Sequence, residues 1–393
     1  KGLIFKRLCF LVISILAGQL SHAQVTPSVI DSVEIAKLDE REVLDFHELG
    51  WEAGADGSGD GEEPPGYDGD WWYDVEGLRK ANHFHTGDDL GEYAEDIVKL
   101  TISSMNGGAI PKAVGALRNL RVLEIDFAAE HPLPSGIWSL PKLEVLILRP
   151  WGSCSISPEI GKLKMLRQLV IIGGSEETVR IPAEIGQLNA LHGLLISGCK
   201  PPAGGLNVSQ LRKLTYLLLQ DVGLTAVPKG LENLTMLDSL MLTGNAISTL
   251  SAGIGVLRQL TFLDLSNNQL SALPTEIGLL DNLAEMNLER NQLTNLPESI
   301  GRLTQRQHLE LSSNQIQRLP DSIGGMSSLT VLELSSNRLA TLPKSIGELQ
   351  RLASLHLRDN PMTDLPAEFA NLSSLQLLQI DMVGLLGLPR ETW

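Results

Sequence analysis

The sequence predicts a solenoid of the α/β class, and three observations predict it. The first is a 23-residue unit opened by leucine or an apolar stand-in at Ile97, Leu120, Leu143, Leu166, Leu191, Leu214, Leu237, Leu260, Leu283, Leu329, Leu352 and Leu375. Arg306 is the one exception, and the step lengthens to 25 only after Leu166, so the register holds over 13 units. The second is the apolar pattern inside a unit, places 1, 4, 6, 11, 14, 18 and 21, as in Leu260, Leu263, Leu265, Leu270, Leu273, Ile277 and Leu280. The 4/6 spacing is the period of two of a short strand that buries one face. The third is Asn at place 9 of six successive units: Asn245, Asn268, Asn291, Asn314, Asn337 and Asn360.

An amide buried where the chain leaves a strand must use its donors and its acceptor. These asparagines are therefore expected to bond to the backbone of neighbouring turns as a ladder. Pro at place 15 (Pro274, Pro297, Pro320, Pro343, Pro366) opens the return leg of each unit. No unit has a core of its own, so neighbours must stack to bury the leucines.

The pattern LxxLxLxxNxLxxLPxxIGxLxx, over about residues 97–389, resembles the leucine-rich repeat. Its 23-residue form is similar to that of Scribble-like and Ras-suppressor-like proteins and of many bacterial surface proteins. The resemblance implies a right-handed solenoid, or horseshoe: parallel strands line the concave side, and short helical or 3₁₀ segments from the LPxxIG part lie on the convex side. At roughly 4.8 Å per strand, such a wall would be on the order of 60 Å long.

Three regions are expected along the chain. Residues 1–23 read as a secretory signal peptide: Lys1, Lys6 and Arg7, an apolar run from Leu8 to Ala17, then Ser21-His22-Ala23 before a cut at Gln24. That run is too short to cross a bilayer. Residues 24–96 form an acidic segment with 21 Asp and Glu against 4 Lys and Arg, a net of −17 within a chain total of −16. Within it, Ser32 to Leu49 has the spacing of one amphipathic helix capped by Asp31. Residues 54–69 are a linker by composition, and Trp71-Trp72-Tyr73 stand where a cap should cover the first raw turn. Residues 97–393 are the repeat domain. Such an acidic balance excludes an electrostatic footprint for nucleic acid.

The repeats are of two kinds. From Leu237 to Ser374 they are regular, whereas before Leu237 the Asn place holds Met105, Ala128, Trp151, Gly174, Cys199 and Val222, and one unit carries two extra residues near Glu176–Val179. Trp151 is too large for an amide pocket, so that turn should swing outward, while the small thiol of Cys199 should fit. Cys154 and Cys199 stand two units apart, about 10 Å by strand stacking, which is beyond disulfide reach. Two free thiols follow. The missing cysteine clusters depart from animal and plant extracellular relatives of this repeat and point toward a bacterial source.

Places 3, 5 and 7 of each strand should line the concave wall, opposite the core-directed places 4 and 6. In order they give an apolar stretch of Val122, Val145, Ile147, Val170, Ile172, Leu195, Tyr216, Leu218, Met241 and Phe262. A polar, mostly acidic stretch follows: Asp264, Glu285, Asn287, Glu289, His308, Glu310, Glu333, His356, Arg358 and Asp381. An apolar patch on a soluble protein marks an interaction surface. Residues Val145 to Phe262 are thus expected to dock a protein or peptide ligand, with Asp264, Glu285, Glu289, Glu310 and Glu333 orienting its basic region.

The leading expectation is a secreted or surface-exposed binding module, located in the periplasm, at the cell surface or outside the cell. The alternative is a glycan-binding adhesion protein using Trp51, Tyr67, Trp71 and Trp72. Nothing in residues 24–96 sets a nucleophile, base and orienting group at a recognisable spacing, and no cofactor motif is present, so no enzyme is expected. No metal site is expected either. His83-x-His85, beside Asp88 and Asp89, lacks a third ligand of recognisable spacing, and the Asp56-x-Ser58-x-Asp60-Gly61 run ends in Tyr67 where a calcium loop needs Glu. Arg306 is expected to snorkel from its leucine place. The last unit leaves no polar cap, so Trp393 folds over the end or the end pairs in a homo-oligomer.

Overall fold

The computed structural model describes residues 72–75 (backbone), 97–103, 110–128, 131–174, 178–305 and 307–381. All of them belong to one compact unit that begins at Gly69. The expected signal peptide, acidic helix, linker, His83, His85, Arg306 and Trp393 lie outside the described residues.

The unit holds a sheet of fourteen strands, thirteen of them parallel and in chain order. The first, β1 (Trp72–Val75), pairs antiparallel with β2 (Lys99–Ser103), so the first repeat's edge is not left as a row of unpaired backbone groups. The sheet then runs through β3 (Val122–Ala128), β4 (Val145–Trp151) and β5 (Gln168–Ile172). A side pair, β6 (Val179–Arg180) and β8 (Cys199–Lys200), lies beyond β5 and β7 (Gly193–Ser197). It follows directly on the two-residue insertion. The main sheet continues with β9 (Tyr216–Gln220), β10 (Ser239–Met241), β11 (Phe262–Asp264), β12 (Glu285–Asn287), β13 (His308–Glu310), β14 (Val331–Glu333), β15 (Ser354–His356) and β16 (Leu377–Gln379). Neighbouring strands from β9 onward align at a 23-residue offset, for example Leu263 beside Met286. The leucine-rich repeat solenoid is therefore present.

Most return legs are a single 3₁₀ turn, such as Thr275–Leu279 or Lys344–Glu348, entered from a proline in most units; the leg between β8 and β9 has none. No helix among the described residues is long and apolar enough to cross a membrane. Successive 3₁₀ turns approach so closely that a Cβ on Gly301 would stand 2.0 Å from the Ser322 carbonyl oxygen. Glycine in the LPxxIG leg is thus a packing requirement.

The asparagine ladder is built as expected, with detail that composition does not carry. In Asn291, Nδ2 donates to the Leu265 carbonyl of the preceding turn at 2.9 Å and to Leu288 of its own turn at 3.1 Å, while Oδ1 accepts from the Leu270 amide at 2.9 Å. Asn245, Asn268, Asn314, Asn337 and Asn360 repeat the arrangement one turn apart. Cys199 takes the same place as a buried thiol, its Sγ 3.2 Å from the Ser197 carbonyl oxygen. Burial pushes that thiol up to about 12. It is a packing group, and no disulfide joins Cys154 to Cys199.

Place 8, just before the ladder, is left-handed in every regular turn: Gly244, Asn267, Arg290, Ser313, Ser336 and Asp359 all have φ between 51° and 68°. The strands there are three residues long. In β4 the same place is Pro150, whose ring fixes φ near −65° and forbids that turn. The strand runs on for seven residues, as β3 does with Phe127 at that place, and turns only at Gly152, with φ 91°. This puts Trp151 on the surface, 49% exposed.

Asn291→Ala leaves the Leu265 carbonyl and the Leu270 amide without these partners inside the stack. It should cost roughly 2–3 kcal/mol, read as a lower thermal midpoint by circular dichroism, whereas the half-exposed Asn360→Ala should cost distinctly less.

Candidate functional site

Strand register fixes what the open face of the sheet presents. Places 4 and 6 enter the continuous core, as Leu263 and Leu265 do, and places 3 and 5 do not belong to it. Ile147, Val170, Leu195, Leu218 and Met241 lie side by side at place 5 of five consecutive strands, β4 to β10. The same row continues as Asp264, Asn287, Glu310, Glu333, His356 and Gln379. One line across the sheet is apolar in its first part and polar in its second.

The face is less open than the alternation alone suggests. Ile147, Val170, Ile172, Leu195 and Tyr216 are half-buried and reach solvent, as do Glu285, Glu289, Glu310 and Glu333. Val145, Leu218, Met241, Phe262 and Asp264 are buried, and Leu218 and Met241 have no exposed surface at all. The expectation that these five line an exposed wall is corrected. In register, Leu218 is flanked by Leu195 and Met241, the Tyr216 hydroxyl lies 4.0 Å from the Met241 sulfur, and Ser239 sits between Tyr216 and Phe262. Apolar side chains about 4.8 Å apart on one sheet face pack on one another, so alternation assigns a face and not an exposure.

The N-terminal part of the face holds an ion-pair cluster that a list of apolar places passes over. Arg149 bonds Glu124, and its Nη1 lies 3.1 Å from Asp126. Partial burial works against the guanidinium charge, and the two carboxylates outweigh it and hold Arg149 above its ordinary value. One edge along, Glu144 accepts from Arg121 at 2.8 Å and lies 3.7 Å from Arg167. These residues recur at the 23-residue step, so reading the polar places of units 120 and 143 in register would have found them.

The C-terminal part concentrates negative charge. Asp264 accepts from the Ser266 amide at 2.8 Å and its hydroxyl at 2.6 Å, yet burial raises its carboxyl above the usual range. Glu289 and Glu333 are raised as well, by burial and then by nearby Glu310. For Glu333 this is opposed by His356, whose Nε2 is 3.3 Å from Glu333 Oε1. His308, Glu310 and Glu333 bring one ligand atom each to within 4.8 Å of one another. The expectation that no metal site is present did not foresee this grouping, because its members stand up to 25 residues apart in sequence and meet only through the strand register. Trp51, Tyr67 and Trp71, the aromatics of a glycan site, lie outside the described residues, and only the backbone of Trp72 is described.

Family models for a leucine-rich repeat region match residues 251–336 and 299–387, and a further leucine-rich repeat model matches 212–270. The chain is a leucine-rich repeat protein. Among solved structures, this repeat protein is similar to a leucine-rich repeat protein of Leptospira interrogans, with 27% identity and a TM-score of 0.55, over 76% of this chain and 87% of that one. It is also similar to the ectodomain of the Arabidopsis thaliana receptor kinase GASSHO1/SCHENGEN3, with 25% identity and a TM-score of 0.58, over 73% of this chain and 38% of the other. An internalin from Listeria monocytogenes shares the fold at 20% identity, with a TM-score of 0.56 over 77% and 91% of the two chains. No curated protein gives a significant match.

A carboxyl held above its ordinary range binds a proton more readily folded than unfolded. Its contribution to stability is present at low pH and is lost as pH rises through the folded value. Asp264→Asn should therefore raise the melting temperature at pH 7 by roughly several degrees. The gain should vanish near pH 3, where the group is protonated in both states, as a pH series of thermal melts would show.

Proposed function

We propose that this leucine-rich repeat protein is an exported, non-enzymatic binding module that takes a protein or peptide segment lengthwise along the open face of its sheet. The observation that carries the reading is the place-5 row, apolar from Ile147 through Val170 to Leu195 and acidic from Glu310 to Glu333, continuous in register. A segment with an apolar stretch followed by basic residues matches that order: burial on the first part supplies affinity, and the carboxylates fix direction and raise the encounter rate. The accessible members Ile147, Val170, Ile172, Leu195 and Tyr216 make the contact. The buried members, Leu218 and Met241 among them, hold the floor beneath it.

The Arabidopsis ectodomain was solved in complex with Casparian strip integrity factor 2, which supports capture of another protein by a solenoid of this kind. Export rests on the charged, apolar and small-residue sequence of positions 1–23. A bacterial source is supported by the few cysteines and by the similarity to the Leptospira protein.

Replacing Leu218 by Asp would bury a charge and unsettle the fold, so the test uses half-exposed positions. Ile147→Asp combined with Val170→Asp should reduce capture of binding partners from the native environment by at least about tenfold. The thermal midpoint of the double variant should stay within a few degrees of the parent. Undiminished capture by a folded double variant rejects the reading.

A further inference from the structure

We propose that His308, Glu310, Glu333 and His356 form a binding site for one divalent transition-metal ion, zinc by preference, which clasps strands β13, β14 and β15 across the open face. The inference rests on side-chain placement and is independent of whether the apolar row binds a protein.

Register brings the four together. Glu310, Glu333 and His356 occupy the same place on three successive strands, and His308 lies two residues before Glu310 on the same face of β13. Ligand atoms of His308, Glu310 and Glu333 lie within 4.8 Å of one another, and His356 Nε2 lies 3.3 Å from Glu333 Oε1. Zinc bonds to nitrogen and oxygen are about 2.0–2.1 Å, which places tetrahedral ligand atoms roughly 3.3 Å apart. The His356–Glu333 pair already has that separation. The other ligand atoms, up to 4.8 Å apart among His308, Glu310 and Glu333, would have to close on the centre by side-chain rotation, because the backbone spacing is set by the sheet.

The donor set selects the ion. Two imidazoles with two carboxylates suit zinc and its transition-metal neighbours, whereas calcium asks for six to eight oxygens and magnesium for an octahedron of oxygen and water. All four side chains are half-buried, so an ion would be partly shielded from water. Ser354 Oγ, 2.7 Å from His356 Nε2, is the group that the ion would displace from that nitrogen. A dication would also relieve the crowding of Glu310 against Glu333, which face each other across adjacent strands. The turn that supplies His308 and Glu310 is the one whose sequence puts Arg306 where its neighbours have leucine. A clasp there ties this turn to the two that follow.

The test is a titration of the chelator-treated full chain with zinc chloride alone, by calorimetry and by thermal melt. One ion per chain and a melting temperature higher by roughly several degrees at saturation, with neither calcium nor magnesium reproducing the shift, support the site. Glu333→Gln and His308→Ala should each weaken zinc by at least about tenfold, with the metal-free melt showing that the variants are folded. His83→Ala with His85→Ala should leave the affinity unchanged. The proposal is overturned if no zinc binds, if calcium or magnesium gives the same shift, if folded Glu333→Gln and His308→Ala chains bind as tightly as the parent, or if binding follows His83 and His85.

Discussion

The structure depends on a buried amide that belongs to two turns at once. Each ladder asparagine places Nδ2 on a carbonyl and Oδ1 on an amide of the turn before it, while a second Nδ2 bond holds its own turn together. The leucines supply most of the favourable burial, yet burial is non-directional and would accept other stackings. The amide bonds have defined donors, acceptors and distances, and from Asn245 onward they hold the 23-residue offset that the earlier strands keep without them. Alignment in turn creates the place-5 row, and with it both the apolar ridge and the histidine and glutamate cluster. Both proposed binding surfaces are products of register.

Much of the fold was legible because the repeat writes the same constraint many times. The strand, the asparagine ladder, the proline-led return leg and the fit of Cys199 all follow from residue type at a fixed place. What the pattern did not carry was exposure. The period of two separates Leu217 from Leu218 by face, and both are nonetheless fully buried, one in the core and one among its neighbours on the open side. Left-handed place 8 was likewise invisible, since Asn, Arg, Ser, Asp and Gly all occupy it. The backbone is left-handed there whether Asn follows or, as after Gly198 and Asp221, Cys199 or Val222 does, and the residue type at place 8 does not mark it. The Arg149 cluster and the His308 grouping were hidden for a further reason: their members adjoin across strands and can be seen only when the sequence is stacked by unit.

The two kinds of repeat divide the labour on one sheet. Where the ladder is absent, strands run to five or seven residues, and the polar side chains that do appear pair with each other, as Arg149 does with Glu124 and Asp126. Where the ladder is present, strands shorten to three residues and carboxylates gather at place 5 and place 7. A uniform ladder throughout would have held the open face at constant width. The mixed arrangement gives a broad apolar floor beside a narrow acidic one.

The ladder also has a direction. Every cross-turn bond of an asparagine reaches back toward the N-terminus, the first of them from Asn245 to Leu219 and Leu224 in the irregular block. A chain pulled from its C-terminal end would surrender one coil at a time, each departing coil leaving the amides of those behind it still engaged. Pulled from the other end, it would lose the coils without a ladder before it reached the Leu219 and Leu224 partners of Asn245, so the same molecule resists force unequally along its length.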